Sequence, residues 1–179
     1  AETKNIIVDA KSGVTGAGRG LKLQNSFCEC TENMKAYKVA THRHTSEIEQ
    51  ELSNVAGEEI MISFTPHLIP QKRGILSTIY VNLNRKSSAE ELTEMYKEFY
   101  KDEFFVRVKE VGDLPETKHV AGSNFVDIGV CYDERLQRAV VVSSLDNIVK
   151  GAAGQAVQNM NLLFGLDEKT ALTNPGFYL

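Results

Sequence analysis

NFVDIGVCY at Asn124–Tyr132 and AVVVSSL at Ala139–Leu145 decide the fold. In the first stretch Val126, Ile128, Val130 and Tyr132 recur at every second position, so they share one face of a strand. The polar run DERLQR between the two reads as a turn, and the pair predicts a β-hairpin. Toward the N-terminus, RGILSTIYVNLN (Arg73–Asn84) predicts a long alternating strand. EIMISFTPH (Glu59–His67) predicts another, with Ile60, Ile62 and Phe64 on one face and Pro66 and Pro70 ending it. NIIVDAK (Asn5–Lys11), AYKVA (36–40) and Phe104–Val108 predict three shorter strands.

Helices fall between these strands. Ala89–Lys101 opens on an S-x-x-E capping box, Ser88 with Glu91, and carries an apolar stripe of Leu92, Met95, Tyr96, Phe99 and Tyr100. Thr45 predicts the cap of a second helix, with Glu47 in its first turn and Ile48, Leu52 and Val55 along one face. Lys150–Gly165 predicts a third, stopped by Gly165, with Ala152, Ala153, Ala156, Val157 and Met160 as its core positions. SGVTGAGRG (Ser12–Gly20) has too many glycines to hold a helix and reads as a loop. Together these features predict an α+β fold, a mixed, largely antiparallel sheet with helices on one face. No GxGxxG opens a helix after a strand near the start, so no nucleotide-binding βαβ unit is expected within this sequence.

The 179 residues suit one domain, with hydrophobic residues at 42% and charged residues at 25%. A net charge of −4 lacks the basic excess of a nucleic-acid surface, and no apolar run is long enough to span a membrane. Cys28, Cys30 and Cys131 are odd in number and too poorly spaced for a disulfide framework or a zinc site. A cytoplasmic setting is expected.

Several groups could carry chemistry. In THRHTSEIEQ, His44 could project from a loop as an acid/base, or His42 and His44 could be loop histidines with no chemistry. As a metal pair they lack further ligands, and no metal is expected. SGVTGAGR could offer backbone N–H groups and Arg19 to an anion, or be an ordinary loop. In PHLIPQKRG, His67, Lys72 and Arg73 could bind a carboxylate or phosphate, or be solvated charges in a turn. Lys118 and His119 read as solvated surface.

SGVTGAGR, NSFCE, AYKVATHRHTSEIEQ, FTPHLIPQKRGIL, VAGSNFVDIG and DNIVKGAAGQAVQNMNLLFGL, in that order, resemble the C-terminal half of the N-acetyl-γ-glutamyl-phosphate reductase family. The similarity runs from Asn5 to Leu166, leaving 167–179 as a tail after a catalytic, substrate-binding and dimerisation domain over 1–166. The resemblance implies the C-terminal domain fold of glyceraldehyde-3-phosphate dehydrogenase and aspartate-semialdehyde dehydrogenase. It implies an NADPH-dependent reduction of N-acetylglutamyl 5-phosphate to the 5-semialdehyde in arginine biosynthesis. It also implies a Rossmann half as intramolecular partner and a homodimer or homotetramer. A thiolate attacks the acyl phosphate, so a base beside the sulfur and donors for the oxyanion and phosphate are required.

By that resemblance His44 is the expected acid/base, with Glu47 orienting it or binding substrate. Ser12, Gly13, Arg19, His42, His67 and Arg73 are the expected substrate contacts. Gly151, Gly154 and Gln155 are expected beside the nicotinamide, or as a tight packing surface of the last helix. The family's nucleophile lies in a segment like NPGCYPT, and none occurs here; NPGFY at Asn174–Tyr178 has Phe at that place. The chain alone is therefore expected to be inactive. The alternatives are a non-catalytic dimerisation or regulatory module and the sister activity on aspartyl phosphate.

Overall fold

The computed structural model describes residues 1–20 and 22–177, so Tyr178 of NPGFY and the end of the expected tail lie outside the described residues. In chain order the elements are β1 (Ile6–Ser12), a 3-10 turn at Val14–Ala17, α1 (Phe27–Cys30), β2 (Lys35–Ala36), α2 (His44–Ala56), β3 (Ile62–Leu68), β4 (Ile75–Asn82), α3 (Ala89–Phe99), β5 (Val106–Val108), β6 (Val126–Asp133), β7 (Arg138–Leu145), a wide π turn at Val149–Ala153 and α4 (Gly154–Leu163). Among the described residues the strands form one sheet of seven in the order β2-β3-β1-β4-β7-β6-β5. β1 pairs with β3, and β5 with β6, in parallel; the other pairings are antiparallel. The sheet is thus mixed and mostly antiparallel, as the alternating patterns predict.

The core follows from strand periodicity. Val8, Ile79, Val141 and Val130 lie in one cross-sheet row and point to one face. Leu52 of α2 packs there on Ile6, Val8 and Ile60, and Leu92 of α3 packs there on Ile128, Val130, Ala139 and Val141. The opposite face carries Ile7, Asp9, Lys11, His67, Thr78 and Tyr80, none of them fully buried. Farther along that face, the segment before β6 lies across Gly129, where a Cβ would sit 2.8 Å from Pro115 Cδ.

Several local expectations are corrected. Pro66 does not end β3, which continues to Leu68. The Pro66 carbonyl accepts from Tyr37 N, so its missing N–H faces the β2 side, where only two residues pair. β2 stops at Ala36 because Lys38 and Ala40 turn to positive φ. The glycine-rich loop holds one 3-10 turn. Ser88 does cap α3 through Glu91 N, yet Met95 and Phe99 on its stripe are exposed. On α2, Val55 is exposed.

The largest correction concerns α4. Its inward residues are Gly154, Gln158 and Asn161, while Ala152, Ala153, Ala156 and Met160 are exposed and Val157 is half-buried. Leu163 and Phe164, at 84% and 77% exposure, continue the outward apolar surface. Polar residues can face inward because each has a partner: Gln158 Oε1 accepts from Asn124 and Lys150, and Asn161 donates to the carbonyls of Glu168 and Thr170. The tail folds back onto the domain, with Leu172 buried and Phe177 N bonded to Ala121 O.

Candidate functional site

His44 is the first residue of α2 and its side chain is exposed. Thr45 is not the cap; its Oγ1 is buried with no partner among the described residues. His42 caps instead: its Nδ1 accepts from His44 N at 3.2 Å and its carbonyl accepts from Thr45 N. The His42 ring lies edge-on to those of His44, Phe64 and Tyr37, with centroids 4.9, 5.3 and 5.6 Å away. Partial burial, then the positive charges of His44, Lys38 and Arg43, hold the His42 imidazole below the usual histidine range. Glu47 is exposed one turn along the same side of the helix.

Ser12 ends β1, and the loop after it is tied down by backbone. Gly13 N donates to Gly74 O, Val14 N to Gln71 O and Thr15 N to Lys72 O. A Cβ on Gly13 would lie 2.9 Å from both Arg73 N and Lys72 O, so glycine is needed here for close approach of two protein segments. Arg19, farther out, is exposed, with no ion pair among the described residues.

Asp146 and Asn147, not among the expected site residues, join these segments to the last helix. Asn147 Oδ1 accepts from Gly74 N at 2.7 Å and its Nδ2 donates to Thr15 Oγ1 at 3.0 Å. The fully buried Asp146 carboxylate accepts from the amides of Gly122, Ile148 and Val149 and pairs with Arg73 at 3.0 Å. Burial opposes its charge, but the Gly122 and Ile148 amides, Arg73 and the Val149 amide outweigh that and leave its pKa below the ordinary aspartate value. Arg73 is therefore committed to Asp146, with part of its side chain still open to solvent.

His67 does not join His44. It projects from the sheet face opposite Phe64 and lies 3.3 Å from Asp9, beside Lys11. Gly154 is a packing glycine: a Cβ would lie 2.4 Å from Asn124 Oδ1. Gly151 and its alanine neighbours remain exposed, and Gln155, half-buried, donates to Asn159. Small exposed residues therefore run over Gly151–Ala153, whereas Gly154 is buried. Lys118 and His119 lie within the 3-10 turn Thr117–His119. All three cysteines are free.

The model for the semialdehyde dehydrogenase dimerisation domain matches residues 1–147. The chain belongs to the semialdehyde dehydrogenase dimerisation-domain family. Within that family it is 66% identical over 178 residues, 99% of its length, to an N-acetyl-γ-glutamyl-phosphate reductase of Acetivibrio thermocellus. It is 58% identical over 177 residues to one of Desulforamulus reducens. It spans about half of these relatives, 51% of each. Aspartate semialdehyde dehydrogenase II of Vibrio cholerae shares the dimerisation-domain fold, with a TM-score of 0.69 at 19% identity over 90% of this chain and 55% of that one. Among the described residues no helix is long and apolar enough to cross a membrane.

Proposed function

We propose that this chain is the catalytic and subunit-interface half of an N-acetyl-γ-glutamyl-phosphate reductase. The reaction is NADPH-dependent reduction of N-acetylglutamyl 5-phosphate to the 5-semialdehyde and phosphate, a step of arginine biosynthesis in the cytoplasm. The observation that carries this reading is 66% identity to a protein of that name across 99% of the chain.

In this reading His44 moves a proton to and from a cysteine sulfur supplied by the other half of the protein. Its exposure at the start of a helix suits a group that must meet a partner segment. Arg19 receives the phosphate, and Asp146 sets the direction of Arg73 toward the same anion. Glu47 binds or orients substrate beside His44. The bound nicotinamide supplies the hydride. Gly151, Ala152 and Ala153 fit the approach of its flat ring, since no side chain there is larger than a methyl group.

Two surfaces serve assembly. The outward apolar side of α4 rests on the nucleotide-binding half. The open sheet face, with Ile7 and Tyr80, meets a second copy of the chain. The residues His67, Asp9 and Lys11 belong to that second surface rather than to the His44 site.

The test is a chimera of this chain with the remaining half of the Acetivibrio thermocellus relative, assayed by NADPH oxidation. Turnover with N-acetylglutamyl phosphate and none with aspartyl phosphate is expected. The reverse preference would assign the sister activity. No turnover with either would favour a non-catalytic module.

A further inference from the structure

We propose that His42 is a positioning residue for His44: its Nδ1 lone pair receives the His44 amide and so fixes where the His44 imidazole leaves the first turn of α2. Its catalytic consequence rests on the reading of His44 given above; its structural content does not.

The geometry carries the argument. The first amides of a helix have no partner within it and need an outside acceptor. Ser, Thr, Asp and Asn are the usual donors of such an oxygen, yet Arg43 makes no side-chain cap and Thr45 lies already inside the helix. The ring nitrogen of His42, 3.2 Å from His44 N, takes that place. Only a bare Nδ1 can accept, so the ring proton of neutral His42 must sit on Nε2. A charged His42 would set an N–H against an N–H and undo the cap. Phe64 from β3 and Tyr37, just after β2, hold the ring in its orientation. The groups that lower its proton affinity act in the same sense, keeping the acceptor free.

This assigns His42 a different task from substrate contact. A substrate ligand would be felt mainly in KM, whereas a misplaced His44 would be felt in kcat.

The test begins with the chain itself. Imidazole 15N spectra at pH 7 should show His42 with a bare Nδ1 and a protonated Nε2. A proton on Nδ1 would overturn the proposal. His42→Leu, which fills the space without an acceptor, should speed exchange of the His44 amide about fivefold, the usual scale of one lost cap. His42→Asn, whose side-chain oxygen can take the same amide, should restore most of that protection. Unchanged exchange in His42→Leu would overturn the proposal, provided the β6–β7 amides remain protected. In the chimera, His42→Leu should lower kcat about tenfold or more with KM for the acyl phosphate unchanged, and His42→Asn should recover much of it. A raised KM at unchanged kcat would overturn the positioning role. The spectra and exchange rates decide the structural claim even if His44 proves dispensable for turnover.

Discussion

The Arg73 guanidinium meets the Asp146 carboxylate at 3.0 Å, and only the arginine reaches solvent: its side chain is 39% exposed, that of Asp146 0%. The pair is the joint of the domain. Arg73 belongs to the turn before β4, while Asp146 follows β7 and caps the turn that leads into α4. Asn147, next in sequence, ties Gly74 to Thr15. One buried dipeptide thus holds the glycine-rich loop, the Arg73 turn and the last helix in fixed relation.

Removing the carboxylate should be costly. Asp146→Asn should lower unfolding free energy at pH 7 by about 3 kcal/mol, the scale for breaking a buried pair. The pH dependence follows from the depressed pKa of Asp146. Its contribution is fully present above the unfolded aspartate value, about 4, and is lost as pH falls through the lower folded value. Urea unfolding at pH 7 and pH 3 should therefore show a smaller loss on acidification in Asp146→Asn than in the wild type. Equal losses in the two proteins would contradict this role.

Glycine at position 13 should matter without any ligand. A Cβ there would meet backbone at 2.9 Å, and backbone cannot swing aside as a side chain can. Gly13→Ala should destabilise the chain by about 1–3 kcal/mol, the range for overpacking. Gly20→Ala meets nothing within 4 Å among the described residues and has no positive φ, so its cost should be smaller. Thermal unfolding of both variants checks the order.

The outward side of α4 should govern stickiness rather than stability. Leu163→Lys with Phe164→Gln changes two side chains that are 84% and 77% exposed. The double variant should bind less of a hydrophobic dye and self-associate less, with unfolding free energy changed by about 0.5 kcal/mol at most. A large loss of stability would mean that these side chains pack inside the domain after all.

The open sheet face should carry self-association. Ile7→Lys places a charge on that face, away from the α2 and α3 core. Sedimentation at micromolar concentration should show a dimer for the wild type and a monomer for Ile7→Lys. A wild-type monomer would remove the sheet face from the account.

The fold was largely legible because alternation is local. Val126 to Tyr132 announce which way β6 faces without reference to any other element, and Ser88 with Glu91 announces a helix start by the same local logic. What stayed hidden depends on contacts distant in sequence. The periodicity of α4 shows that one side is apolar, but its polar inward side is satisfied by partners the pattern does not show, among them Asn124, 34 residues before Gln158. His42 outcompetes Thr45 as a cap because Phe64 and Tyr37 orient its ring. Asp146 and Asn147 were not among the expected site residues, since their partners at Thr15, Arg73, Gly74 and Gly122 come from three other segments. His44 and Arg19 stood out in the sequence and are exposed, whereas His67 shares the same composition signal and projects from the other face of the sheet.

The most direct measurement of the central claim is turnover of the chimera carrying His44→Asn, with NADPH and N-acetylglutamyl phosphate. Loss of general acid–base help should lower kcat by about 100-fold or more, with folding and NADPH binding intact. Turnover within a few-fold of the unsubstituted chimera would contradict the assignment of His44 to the reacting sulfur.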